Sequence, residues 1–220
     1  MRRWLPESRT LSGIELLLGA GIVLAHNVWR ILPNEVPILF VLGLVSLWLR
    51  NGGWSAIGIR RPKSWTNVVL IALAAAALRI LLGGLVIEPL AAHIWPPSAA
   101  PAGIGSIAGN LMSALKWLLL VWTFAAVGEE VAYRGYLLRR AAEFLGSSTA
   151  AHWMAVLVTA VLFGFGHYYK GPAGIVDSTF AGLILGAAYM FSGKTLWTTM
   201  LAHGFIDTFG VVMLYLGLAT

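Results

Sequence analysis

Four side chains in the second half of this 220-residue chain are of the types that move protons, and each interrupts an apolar run: Glu129, His167, His203 and Asp207. Glu129 stands in the stretch 128–134, Gly-Glu-Glu-Val-Ala-Tyr-Arg, His167 closes Phe-Gly-Phe-Gly-His, and His203 and Asp207 bracket His-Gly-Phe-Ile-Asp. An ionisable group at membrane depth costs at least roughly 2.5–3.5 kcal/mol on insertion scales, so each of these positions needs a reason. A buried carboxylate beside histidines can take a proton from water and return it, which is what hydrolysis requires. Two histidines with a carboxylate are also a first shell for zinc with a position left open for water, which makes His167, His203, Asp207 and Glu129 candidate metal ligands. Proton relay in an ion-coupled transporter uses the same residue types, and a buried helix–helix hydrogen bond accounts for any one of them taken alone.

Helical spacing separates the two adjacent glutamates. Glu130 and Arg134 are four apart and share a face, with the acid on the favourable N-terminal side, so they form a candidate structural ion pair. Glu129 is turned about 100° away and has no such partner in the sequence, which leaves it available for chemistry. His203 and Asp207 are also four apart and share a face.

The elements that must carry these residues are membrane helices. Hydrophobic residues make up 59% of the chain and charged ones 11%, with a mean hydropathy of +0.81, so too few charges are present to cover a soluble domain of this length. The fold class is therefore all-α, a polytopic transmembrane bundle of about seven spans, with six to eight as the range. The chain has no cysteine, which excludes disulfides, thiol catalysis and thiolate metal ligands. A net charge of +6 would suggest nucleic acid in a soluble protein, but here the basic residues lie in short loops between apolar runs and set orientation instead.

Apolar runs predict spans over 13–32, 38–49, 67–87, 110–127, 147–166, 174–191 and 196–218. Residues 1–10 are basic and short, and the apolar run after them lacks a small-residue cleavage site, so the first span is expected to be retained. Residues 88–106 hold four prolines and predict a loop or re-entrant segment. The organisation divides into N-terminal helices and a loop over 1–109 and a catalytic helical core over 110–220. With the N-terminus cytoplasmic, eleven Lys and Arg residues fall inside and Arg30 and Lys170 fall outside, which favours that orientation and an external C-terminus. Counting from the turn at 146–148, Glu129 lies 18 residues before Ser147 and His167 lies 20 after it, so the two come level within about one helical turn. His203 and Asp207 join them if residues 134–145 project into the cytosol as a basic helix. All four then converge on a cavity opening toward the cytoplasm.

In this order, Glu-Glu-x-x-x-Arg, Phe-x-x-x-His and His-x-x-x-Asp resemble the motifs of the CPBP intramembrane proteases, also called the CAAX protease/bacteriocin-processing or Abi family, which includes the type II CAAX prenyl endopeptidase. Residues 128–138 look like the first motif with its flanks, residues 56–62 are similar to the loop that precedes the core, and the resemblance covers about 110–218. It implies an intramembrane endopeptidase, integral to a bacterial or archaeal cell membrane, that hydrolyses a peptide bond near the cytoplasmic side with Glu-activated water, with or without zinc. Glu129 would be the general base, assisted by His167, while His203 and Asp207 would stabilise the oxyanion or hold the metal. The implied partners are the lipid bilayer and a membrane-associated substrate, prenylated and CaaX-like or a bacteriocin-like precursor, and not nucleic acid. Some members act as partner-binding immunity proteins, a non-catalytic alternative beside the transporter. Asp207 stands where the prenyl endopeptidase has Asn; an ionised Asp cannot donate to an oxyanion, which favours a metal-ligand role or the orienting of His203.

Overall fold

The computed structural model describes residues 8–50, 52–95 and 107–218. The start of the basic segment 1–10 and most of the expected loop 88–106 lie outside those residues. Among the described residues the chain forms seven helical rods and no strand. The rods are α1 (Arg9–Asn27), α2 (Glu35–Leu49), α3 (Trp65–Leu82) continued into α4 (Glu88–Ile94), α5 (Leu111–Leu120) continued into α6 (Arg139–Leu145), α7 (Thr149–Phe165), α8 (Gly171–Phe191) and α9 (Leu196–Tyr215). Four of these rods are long and apolar enough to cross a membrane: Arg9–Asn27, Trp65–Ile94, Leu111–Leu145 and Tyr168–Phe191. Two more apolar helices, Glu35–Leu49 and Thr149–Phe165, are shorter.

Local sequence explains the boundaries. Ser8, Ser64, Asn110 and Ser148 each accept a backbone N–H with their side chain and start α1, α3, α5 and α7. The first rod stops at Asn27, short of the expected residue 32, because the chain turns there, with Arg30 at φ 54° and Asn34 accepting from the Val36 N–H to open α2. The third rod runs past the expected residue 87 to Ile94, and Pro89 falls in the first turn of α4, directly after the π-helical stretch Gly83–Ile87 that joins it to α3.

In a bilayer, helices associate by close packing rather than by hydrophobic drive, so small residues mark their contacts. Ala72 and Ala75 of α3, Ala188 of α8 and Ala202 of α9 are buried together around Leu185. The Gly182 and Gly186 pair lets α8 lie directly on α7: a Cβ at Gly182 would sit 2.9 Å from the Ala160 Cα, and one at Gly186 would sit 2.6 Å from Val156 Cγ1.

The fourth rod differs most from expectation. It is helical from Leu111 to Leu145, yet its last turns do not project alone into solvent. Arg140 is 3% exposed and ion-pairs with Glu15 of α1 at 2.8 Å, while Ser12 donates to Glu143 at 2.8 Å and Arg50 pairs with both Glu15 and Glu143. Three helices are therefore clamped at this end by a buried charge network, in which cations that a charge count reads as loop residues already have acids as partners.

Candidate active site

The two glutamates sit where two π-helical stretches meet, Val121–Glu129 and Val131–Leu138. A regular α-helix is the sequence expectation; the wider turn, bonded i to i−5, is rare and occurs chiefly at functional sites. It keeps Glu130 and Arg134 together: Arg134 donates to Glu130 Oε1 at 2.8 Å, and the side chains are 2% and 0% exposed. Arg134 also donates to the Gly182 carbonyl at 3.2 Å and lies 4.7 Å above the Phe163 ring, so the guanidinium ties the motif helix to α8 and α7.

The same carboxylate oxygen of Glu130 receives the Nδ1 of His203 at 2.8 Å. A carboxylate held against an arginine accepts only, so His203 carries a proton on Nδ1. Its Nε2 is 3.5 Å from Asp207 Oδ2. The imidazole thus stands between two carboxylates, Glu130 on one nitrogen and Asp207 on the other. Glu130 does more than the structural pairing read from spacing, because it also fixes the ring plane of His203.

His167 follows directly on the end of α7. Its Nδ1 lies 3.0 Å from the Phe163 carbonyl, which can only accept, so the proton is on Nδ1 and Nε2 is left with its lone pair. The Phe163 ring packs against His167 at 4.8 Å and against His203 at 6.0 Å, nearly edge-on to the latter, and holds both imidazoles in place.

Glu129 faces away from this pairing. Its Oε2 is buried and has no hydrogen-bond partner among the described residues. A buried orphan carboxylate oxygen is costly, and one that borders a cavity is suited to meet water or substrate there. All four expected residues, Glu129, His167, His203 and Asp207, line one cavity of about 340 Å³.

The cavity has a second wall that the motifs do not predict. Glu35, 4% exposed in the first turn of α2, lies 3.4 Å from the Tyr133 hydroxyl through Oε1 and 3.4 Å from His26 Nε2 through Oε2. Its signal is present in the sequence, because it is the only acid between Glu15 and Glu88 and follows a capping Asn. His26 looks like an ordinary span-end histidine but belongs to this wall. Arg79 reaches an acid on another helix, as its position in a span suggests: it pairs with Asp177 at 2.6 Å.

The cavity also has a direction. It is bordered by the ends of α1 and α7 and the start of α2, and these three lie at the opposite end of the bundle from Arg9, Arg50 and Arg139, which line a separate recess together. A helix that begins at the basic end therefore reaches the cavity only where it finishes.

Zinc donors of suitable type surround the cavity, but among the described residues no group of three or more His, Asp or Glu is arranged to hold a metal ion. What the arrangement offers chemically is a free carboxylate oxygen, an imidazole with an open Nε2 and a second imidazole held between acids. A family model described as Rce1-like, type II CAAX prenyl endopeptidase, matches residues 111–209. No curated protein and no solved structure matches the chain.

Proposed function

We propose, from the match of residues 111–209 to the Rce1-like type II CAAX prenyl endopeptidase family model, that this chain is an intramembrane endopeptidase using Glu129-activated water. The observation that carries the reading is the buried, unpartnered Oε2 of Glu129 on the wall shared with His167, His203 and Asp207. A water hydrogen-bonded to Glu129 and to His167 Nε2 gives its proton to Glu129 as its oxygen attacks the scissile carbonyl. An imidazolium donates from both nitrogens, so His203, anchored at Nδ1 by Glu130, turns Nε2–H toward the developing oxyanion while Asp207 keeps the ring aligned. Glu129 then returns the proton to the leaving amine. Asp207 orients and does not donate, consistent with its replacing an amide.

The substrate class is a membrane-associated peptide, and a prenylated CaaX-like end or a bacteriocin-like precursor fits a site reached from within a helical bundle. Incubation of the purified protein with membrane-anchored peptides is expected to yield cleavage. Proton- or ion-coupled uptake with no cleavage would restore the transporter, and tight partner binding with neither activity would restore the immunity protein.

The second reading adds zinc to the same residues, whose donor types suit it and which line one cavity, although among the described residues no three of them are arranged around one ion. Chelator-stripped protein, checked by elemental analysis, is expected to keep full turnover. Loss that zinc restores would make His167, His203, Asp207 and Glu129 its ligands instead.

Sidedness follows from the charge rule with the basic end cytoplasmic, so the cavity opens toward the outer side. The chain has no cysteine, so single substitutions report cleanly. Trp29→Cys at the cavity end, 60% exposed, is expected to react with an impermeant maleimide in sealed cells, and Trp54→Cys at the basic end, 55% exposed, only after permeabilisation. The reverse pattern would put the N-terminus outside and the cavity on the cytoplasmic side.

A further inference from the structure

A second cavity, of about 660 Å³, lies at the basic end between the start of α3 and the turn from α8 to α9, and it shares no lining residue with the catalytic cavity. Arg60, Arg61 and Lys63 line it, and no carboxylate does. Arg60 is committed, since it donates to the Gly193 carbonyl at 2.6 Å and holds the 58–61 loop against the α8–α9 turn. Arg61 and Lys63 have no ion pair or hydrogen bond to any described residue. The first turn of α3 opens beside them, capped by Ser64, and adds backbone N–H dipoles to the same positive field. Asn67, Ser192 and Thr195 also line it, and its apolar side is formed by Val68 and Ile71 on α3 and Phe191 at the end of α8, the last 73% exposed. Trp65 and Trp197 pack beside the cavity with ring centroids 5.8 Å apart and planes tilted by 53°, and Trp197 donates to the Arg60 carbonyl at 3.1 Å, the kind of aromatic pair that anchors a membrane interface.

Two uncommitted cations at the end of a polar recess that continues into an exposed apolar wall have the chemistry of an anionic phospholipid. We propose that this cavity binds one such lipid, with its phosphate on Arg61, Lys63 and the α3 N-terminus and an acyl chain along Val68, Ile71 and Phe191. Positive charge at this depth attracts the anionic lipids of the cytoplasmic leaflet. A free phosphate would use only the polar half of the recess, so the apolar wall distinguishes the two sources. The site is independent of the peptidase reading, because its occupancy is measured without turnover.

The test is native mass spectrometry and thermal melting of the intact, detergent-purified protein with phosphatidylglycerol, phosphatidylcholine or water-soluble glycerol 1-phosphate. Phosphatidylglycerol is expected to be retained and to raise the melting temperature, with phosphatidylcholine binding weaker by on the order of tenfold or more. The double variant Arg61→Gln with Lys63→Gln changes two exposed side chains that make no hydrogen bond or ion pair with any described residue, and it is expected to hold phosphatidylglycerol no better than phosphatidylcholine. Equal retention of the two lipids by the unchanged protein, or undiminished retention by the double variant, would overturn the site. Stabilisation by glycerol 1-phosphate equal to that by phosphatidylglycerol would overturn its assignment to a lipid.

Discussion

Glu129→Gln is expected to insert and fold normally and to lose on the order of 10²–10⁴-fold in peptide cleavage, the usual effect of removing a general base. The amide keeps the volume of the acid and much of its hydrogen bonding, so packing around the cavity is undisturbed. The Glu129 Oε2 has no hydrogen-bond partner among the described residues to lose, whereas Glu130 is held through its Oε1 by Arg134 and His203. Thermal melting and cleavage measured on one preparation decide the matter. An active Glu129→Gln protein would move the base to another carboxylate, and Glu35, on the same cavity wall, would be the first to examine.

The second large effect concerns the pair beneath it. Arg134→Gln leaves Glu130 buried with its arginine gone and is expected to cost about 3–5 kcal/mol, seen as low yield and early melting. Replacing both charges by apolar residues of similar size, Glu130→Leu with Arg134→Met, removes the desolvation cost together with the attraction and should recover most of that stability. It should not recover activity, because His203 Nδ1 then has no acceptor and its ring is free to turn. The expected signature is a lowered kcat with KM little changed, since the lost alignment matters in the transition state. A double variant that is both stable and fully active would show that Glu130 serves folding alone.

What could be read from the sequence was local. Glu130 and Arg134 are one helical turn apart and were paired by spacing; His203 and Asp207 likewise fall within 3.5 Å of each other. Glu129 and His167 were brought level by counting residues from the turn between their helices, and they do line one cavity. The bond from Glu130 to His203 spans 73 positions, and no periodicity reports a contact of that kind. Glu35 escaped because the first half of the chain has no motif around it, although a lone acid after a capping Asn was a usable sign. The clamp of Glu15, Arg50, Arg140 and Glu143 was missed for a different reason: counting cations by loop treats each as solvated, whereas these are paired across three helices. The end of the bundle at which the cavity lies is hard to read for a similar reason, since a depth counted on one helix does not compare the ends at which different helices begin.

The short helices around the cavity have a consequence for the lipid outside the protein. At 1.5 Å per residue, the 15 residues of Glu35–Leu49 and the 17 of Thr149–Phe165 span roughly 22–26 Å, less than the roughly 30 Å hydrocarbon thickness of a typical bilayer. A bilayer meeting so short an apolar face becomes thinner there. The thinned patch lies against α2, which begins at Glu35, and α7, which ends two residues before His167, so bulk water comes nearest to the hydrophobic interior at the place where the proposed hydrolysis would consume it. Bilayer thickness is thereby part of the reaction's water supply: short-chain lipids let the membrane fit the protein without strain, and long-chain lipids press it to close the gap.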